Sequence, residues 1–324
     1  MMFKRKHILS LSALVAIMGA LCFLNIHNNL YAFNSSDEKA DQDKVVSIMT
    51  YNIAAYDSAS FHIGKQVRLM ELIKQEKPDI VCFQEMSFET LRMIKPQLDS
   101  IYGPCEVLKG DNQMWRLRFY SHLPLRNFSR HKCEGEFDTS DLTDEERHMI
   151  EQSQKQMGVM SAEFEVEPGK WVRLYSGQLR SSAYSTARRS MDEDASWFSG
   201  LGLYWRNYKV GKRIRDYEAE NVRRFIDEAR GAHSTSSATR MPVIVAGDLN
   251  DWNGSYCLKT LIGKDLKDAW SEGGRGFGWT YFGWGLRLRL DHILYSDELE
   301  LVDVKVVDSD LSDHKPLMAR FRIK

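Results

Sequence analysis

The chain has 324 residues, enough for one large domain or two ordinary ones with a sizeable core. Hydrophobic residues make up 43%, charged residues 27% and aromatics 11%, a makeup that excludes a disordered, collagenous or multi-span membrane chain. Lys+Arg 44 against Asp+Glu 45 gives a formal charge of −1, which argues against bulk coating of DNA or RNA as the main task and leaves room only for a local basic groove.

The N-terminus reads as an address. Lys4, Arg5, Lys6 and His7 precede a nearly charge-free apolar stretch from Ile8 to Ile26. That length lies between the ~7–15 residues of a signal-peptide core and the ~20 of a membrane span. Residues 1–32 are therefore expected to be a signal peptide or an N-terminal membrane anchor, 33–44 a polar linker, and 45–324 one domain outside the cytoplasm. Leu21 before Cys22 argues against lipidation at that cysteine. Removing the leader takes away three basic residues and no acid, so the remaining domain is mildly acidic. Cys82, Cys105, Cys133 and Cys257 remain; Cys82 sits in an apolar run, which favours buried thiols over a complete disulfide framework. No Cys-x-x-Cys or Cys/His cluster suggests structural zinc.

From Val45 onward, apolar runs of strand length alternate with helix-like stretches, the pattern of a single α/β domain. Strands are predicted over 45–51 and 79–83, with a helix over 65–76 between them, where Val67, Met70, Leu72 and Ile73 share one face. Further strands are predicted over 113–120, 159–166, 171–176, 242–246, 286–295, 301–307 and 317–323. Two segments read as insertions: the acid-rich 133–156, and 183–231, which settles into a helix through Tyr217, Val222, Phe225 and Ile226. Such excursions often carry substrate contacts.

Several predicted strands end in acid/base or metal-type side chains: Tyr51-Asn52, Phe83-Gln84-Glu85, and Gly247-Asp248-Leu249-Asn250-Asp251. In sheet-based α/β proteins that edge binds ligands, because strands fix the backbone while loops leave room for substrate. Alternation over 286–295 would place Arg287, Arg289 and Asp291 on one face. Ser312-Asp313-His314 sets a carboxylate beside an imidazole ahead of the last strand.

These segments, with Thr50-Tyr51-Asn52-Ile53, Pro78-Asp79 through Glu85, Phe119-Tyr120-Ser121-His122-Leu123-Pro124 and Arg289-Leu290-Asp291-His292, resemble the endonuclease/exonuclease/phosphatase superfamily in its order along the chain. Its members include DNase I-like nucleases, abasic-site endonucleases, sphingomyelinases and inositol-polyphosphate phosphatases, and the likeness is greatest to exported or membrane-anchored bacterial members. The resemblance implies a DNase I-like four-layer α/β sandwich, two packed mixed β-sheets flanked by helices. It implies Glu85 as the main carboxylate for Mg²⁺, with Mn²⁺ as a substitute, and Asn52 and Asp313 completing the metal and phosphate surroundings. Asp248 and Asn250 would orient and help deprotonate the attacking water, and His314, paired with Asp291, would stabilise or protonate phosphoryl oxygens. A sparse oxygen-only set suits hard Mg²⁺ better than zinc. The expected partner is a phosphate-ester substrate, with nucleic acid or a lipid head group as the wider class and a membrane reached through the N-terminal segment; nothing points to an obligate protein partner.

The chain departs from the family pattern in two places. Relatives carry Asn-x-His-Leu where this chain reads Ser176-Gly177-Gln178-Leu179, so Gln178 stands in for an imidazole. An amide can donate a hydrogen bond to a phosphoryl oxygen but cannot carry a proton as a general acid. Relatives show small residues where this chain has Trp115-Arg116-Leu117-Arg118, so Arg116 and Arg118 either add positive potential or cap a solvated strand. With Arg180, Arg188, Arg189, Arg287 and Arg289 they could form the local basic groove. Trp279, Tyr281, Phe282 and Trp284 are candidates for a stacking wall or for plain packing, and Thr280 for packing. The competing reading is a catalytically impaired binding or scaffold domain.

Overall fold

A computed structural model describes residues 45–55, 61–103, 117–135, 137–140, 142–154, 158–181, 197–231, 240–283 and 286–324, with backbone alone for 197–207. The leader and linker, Cys22, Cys105, Trp115, Arg116, Arg188, Arg189 and Trp284 lie outside the described residues.

In chain order the elements are β1 (Val46–Ala55), α1 (Ile63–Glu76), β2 (Ile80–Met86), α2 (Phe88–Tyr102), β3 (Arg118–Ser121), β4 (Leu125–Lys132), α3 (Asp144–Gln154), β5 (Gly158–Glu167) and β6 (Lys170–Gln178). There follow α4 (Trp197–Ala229), β7 (Val243–Asp248), α5 (Tyr256–Ile262), β8 (Leu266–Asp268), α6 (Ala269–Gly273), β9 (Asp291–Ser296), β10 (Leu299–Val306) and β11 (Leu317–Ile323). A five-stranded sheet runs β10-β11-β1-β2-β3, and a six-stranded sheet runs β4-β5-β6-β7-β9-β8. Each is mixed: β1 and β2 are parallel, as are β6 and β7, while every other pairing is antiparallel.

The layers follow from side-chain alternation. Ile48, Ile80, Cys82 and Phe119 of the first sheet meet Phe164, Leu174, Ile244, Ala246 and Ile293 of the second in one buried cluster. The opposite face of the first sheet, with Met49, Tyr51, Val81 and Phe83, packs on Leu69, Met70 and Ile73 of α1 and Leu91, Ile94 and Leu98 of α2. The opposite face of the second, with Tyr175, Val243, Val245 and Leu294, packs on Val222, Phe225 and Ile226 of α4 and Leu258 and Leu261 of α5. Central strands buried on both faces need continuous apolar runs, which explains Val46-Ser47-Ile48-Met49 and Val243-Ile244-Val245-Ala246. The result is the expected helix–sheet–sheet–helix sandwich.

Several elements differ from the sequence reading, among them the short α5, β8 and α6, which it did not anticipate. β4 is an edge strand of sequence LRNFSRHK without an apolar run, and α2 carries Pro96 in its interior behind a Ser87 cap whose Oγ accepts from Thr90 N at 3.0 Å. Regular strand begins at Asp291 rather than at 286, and upstream only an isolated bridge joins Leu288 to Tyr281. The acid-rich insertion folds into α3, whose Ile150 packs on Val210 and Ile214 of α4, so it thickens the helical layer. Among the described residues Cys82, Cys133 and Cys257 are buried free thiols.

Candidate active site

The parallel pairs β1/β2 and β6/β7 end at a common edge. Asn52 and Glu85 arrive from the first sheet, Gln178 and Asp248 from the second, and Asn52 Nδ2 donates to Asp248 Oδ2 at 3.0 Å across the seam. Two glycines make this approach sterically feasible. Gly177 and Gly247 are register partners, and a Cβ on Gly247 would lie 2.0 Å from the Gly177 carbonyl oxygen. The backbones therefore touch where no side chain fits, and the next pair, Gln178 and Asp248, stand side by side.

Three non-glycine residues at this edge adopt the left-handed region: Ala54 (φ 47°), Glu85 (φ 57°) and Asn250 (φ 51°). Such conformations are disfavoured for residues with a Cβ and persist where the surroundings hold them. The holding contacts are present. Asn52 Oδ1 accepts from Ala54 N at 3.1 Å, Asp248 Oδ1 accepts from Asn250 N at 3.0 Å, and Asn250 Nδ2 reaches Leu179 O at 2.9 Å and Asp248 Oδ2 at 3.2 Å.

Asp248 is 1% exposed. Burial pushes its carboxyl up to about 7; His314 opposes the rise, Asp291 and Glu85 add to it, and the Asn52 hydrogen bond opposes it. Gln178 Nε2 donates to Glu85 Oε1 and lies 3.4 Å from Asp248 Oδ2. Half-buried Glu85 thus meets Gln178, while its charge is felt at Asp248.

His314 enters from the loop before β11. Its Nδ1 is 2.7 Å from Asp291 Oδ2, and its Nε2 is 3.8 Å from Asp248 Oδ2. Burial alone would lower this imidazole's pKa, but the Asp291 and Asp248 carboxylates outweigh it and raise the value to about 10. The ring is therefore an imidazolium at neutral pH, fixed by Asp291 and packed on Tyr281 at 5.0 Å between centroids. Asp291 is itself held by Thr280, whose Oγ1 accepts from both Leu290 N and Asp291 N at 3.1 Å. Thr280 is thus more than packing, because it fixes the backbone at the start of β9.

The structure brings Asn52, Glu85, Gln178, Asp248, Asn250, Asp291 and His314 together. It does not bring the Asp313 carboxylate in to the same degree: that side chain is exposed and hydrogen-bonded to Ser312 Oγ at 3.2 Å, although its charge still raises the His314 pKa. The arginines need correction. Arg289 does not share a face with Asp291, because the chain is irregular before β9; its Nη1 donates to both Asp268 oxygens at 2.8 and 2.7 Å, where His292 Nδ1 also binds at 2.9 Å. Arg118 is buried and donates to Leu117 O at 2.6 Å, so it does not cap a solvated strand. Arg287 lies over Trp279, which stacks on Phe277, and Lys315 lies over Phe282.

Sequence reasoning missed a buried support beneath the edge. Glu218 Oε2 accepts from Arg180 N at 2.7 Å, Arg215 Nη1 donates to Arg180 O at 2.9 Å, and Arg215 Nε faces Asp251 Oδ2 at 3.4 Å. His292 Nε2 donates to Asp251 O at 3.0 Å. Polar residues scattered among helix positions carry no spacing signal for this.

The donor set fits a divalent cation. Asp248, Asp291 and His314 present ligand-type atoms within 4.8 Å of one another, and Asp291 Oδ1 is buried without a hydrogen-bond partner among the described residues. Two buried carboxylates with Glu85 beside them are an excess of negative charge in low dielectric, which a cation relieves. Apart from the His314 imidazole, the ligand-type atoms here are carboxylate and amide oxygens, the kind that Mg²⁺ prefers.

A UPF0294 protein of Vibrio cholerae is 30% identical over 159 residues, 49% of this chain and 49% of that protein, so the alignment spans about half the length of the curated relatives it matches. Among solved structures, the human Nocturnin catalytic domain with bound sulfate anion superposes with a TM-score of 0.59 at 16% identity, covering 88% of this chain and 96% of that one. ANGEL2, a 2′,3′-cyclic phosphatase in complex with adenosine-2′,3′-vanadate, gives 0.58 at 14%, covering 90% and 99%. Danio rerio TDP2 complexed with single strand DNA product gives 0.57 at 14%, covering 86% and 100%. These likenesses show a shared fold. The family model described as Endonuclease/Exonuclease/phosphatase family matches residues 49–314, most of the chain, and the protein belongs to that family.

Proposed function

We propose that the protein is an exported, Mg²⁺-dependent phosphoesterase that hydrolyses phosphodiester bonds by metal-assisted attack of water. The observation that carries this reading is the convergence of Asp248, Asn52, Asn250 and Glu85 with the Asp291–His314 pair at one strand-end edge. Family membership and the sulfate, vanadate and DNA product named for its structural neighbours support it. Export rests on the charged and apolar leader, which also supplies a route to membrane association.

In this scheme Glu85, with Asn52 on the neighbouring strand, would hold the Mg²⁺, which would supply Lewis-acid stabilisation of the phosphoryl oxygens, while exposed Asp313 would act on the site through its charge. Asp248, whose carboxyl is raised by burial above the ordinary carboxylate range, is placed to take a proton from the attacking water. Asn52 and Asn250 fix that carboxylate through bonds of 3.0 and 3.2 Å. The His314 imidazolium, oriented by Asp291, faces the charge that builds on phosphoryl oxygen. The test is Mg²⁺-dependent hydrolysis of bis-p-nitrophenyl phosphate by the purified chain, beside Asp248→Ala and His314→Ala. Loss of at least about 100-fold in each variant is expected, and equal activity in all three would end the assignment.

A second reading is a binding or scaffold domain without turnover, favoured by Gln178 where relatives have histidine and by its engagement with Glu85. Melting with and without Mg²⁺ separates the two. A bound cation stabilises by mass action, about 2.7 kcal/mol at 100 Kd, so the enzyme reading expects a higher Tm with Mg²⁺, and an unchanged Tm with no hydrolysis would favour the scaffold.

A further inference from the structure

Gln178 ends β6 in register with Asp248, and its side chain faces two carboxylates. Nε2 donates to Glu85 Oε1 and sits 3.4 Å from Asp248 Oδ2. Turning the amide over would set its carbonyl oxygen against the Glu85 oxygen it now donates to, so nitrogen faces the carboxylates and oxygen points away from them. Oε1 has no hydrogen-bond partner among the described residues, and it is absent from the fully buried unpartnered atoms, so solvent or substrate can reach it. Gln178 therefore presents a hydrogen-bond acceptor at the open side of this strand-end edge.

We propose that Gln178 makes the site selective for phosphoesters that carry a free hydroxyl next to the scissile phosphate. The inference rests on the phosphoesterase reading and names the substrate feature that reading leaves open. Ionised phosphodiester oxygens only accept hydrogen bonds, so they cannot satisfy Oε1; the O–H of a ribose or of a glycerol-like polyol can. A half-buried carbonyl left unpaired in the complex lowers affinity for the analogue lacking that hydroxyl, and sites built to bond a hydroxyl reject deoxy analogues strongly. Partial exposure tempers the effect here to roughly 10- to 100-fold.

The experiment compares matched substrates on the full chain with Mg²⁺. One arm uses a ribo- and a deoxyribo-dinucleoside monophosphate of the same sequence; the other uses glyceryl and propyl p-nitrophenyl phosphate. Each pair is run with the unaltered protein, Gln178→Leu and Gln178→His, and calorimetry records binding of ribo- against deoxyribonucleoside 3′-monophosphate. The unaltered chain is expected to favour the hydroxylated member in kcat/KM and in affinity. Gln178→Leu should bring the affinity ratio to about one and cut the kinetic ratio by roughly 10- to 100-fold, and Gln178→His, whose imidazolium offers no acceptor, should likewise lose the preference below the imidazole pKa. A preference confined to one arm assigns the hydroxyl to a nucleic acid or to a polyol head group. Ratios identical in the unaltered chain and Gln178→Leu would overturn the proposal. Absence of all hydrolysis would remove the phosphoesterase reading, and the calorimetric ratio would still decide the role of Gln178.

Discussion

Gly247→Ala places one methyl group where the two sheet halves of the site depend on backbone contact. The added Cβ would lie 2.0 Å from Gly177 O, 2.9 Å from Gly177 C and 3.1 Å from Gly177 N. A comfortable C···O approach is about 3.3 Å, so β6 and β7 would have to part by about 1.3 Å at this register pair. No flexible side chain can absorb the shift, because every contacted atom is backbone. Gln178 and Asp248 are the next pair along, so the displacement falls on the residues that hold Glu85 and would take the water's proton. Overpacking of this size costs about 1–3 kcal/mol of stability, which a domain of this size survives, whereas a misplacement near 1 Å at reacting groups costs about 100-fold in rate. The assay measures kcat and KM on bis-p-nitrophenyl phosphate beside circular dichroism and Tm. The expected result is a folded protein with kcat down about 100-fold, and a folded variant with undiminished kcat would refute the claim that this contact sets the site.

Asp291→Asn removes the main carboxylate that holds His314 charged. The pKa is raised in the folded protein, so the positive charge persists below about 10 and is lost above it; without Asp291 burial is opposed only by Asp248 and Asp313, and the alkaline limb of the pH–rate profile should move to lower pH. An alkaline limb unmoved in the variant would refute this pairing. Glu218 tests a different group: burial raises its carboxyl from 4.5 to about 7, with Arg180 and Arg215 only partly offsetting it. A raised acid favours the folded state fully below its unfolded pKa and loses that contribution as pH climbs through about 7, a span on the order of 3 kcal/mol. Glu218→Gln should therefore flatten the fall in Tm between pH 5 and 8, and parallel curves for the two proteins would exclude the effect.

What was legible in the sequence was what periodicity and strand-end chemistry encode. Central strands such as β1 and β7 are buried on both faces, so apolar residues dominate them, with Ser47 and Thr50 as buried exceptions in β1, and the polar residues near their ends mark the edge where two sheets meet. β4 was illegible because an exposed edge strand need not be apolar, and α2 because Pro96 interrupts a helix that packing on the first sheet sustains. Arg289 was misread for a related reason. Alternation holds only inside regular strand, and at residue 289 the chain has yet to enter β9, so the guanidinium turns toward Asp268 and His292.

That misreading points to how the site is supported. Asp268 binds Arg289 and His292, which hold its carboxyl well below the usual range despite burial; His292 holds Asp251 O; and Asp251 meets Arg215, which with Glu218 clamps both backbone polar groups of Arg180. Buried ion pairs of this kind add little net stability, since desolvation offsets their attraction. Their consequence is geometric. Arg180 and Asp251 follow Gln178 and Asp248 by two and three residues in the chain, so α4 fixes both loops that leave the paired strand ends. Leu179 lies between, with its N–H on Asp248 O at 3.0 Å and its carbonyl on Asn250 Nδ2 at 2.9 Å. The strand ends that carry Gln178 and Asp248 are thus anchored from below by charges on α4 and β8, which is why a single-residue reading of the motifs finds the candidate site residues and overlooks what aims them.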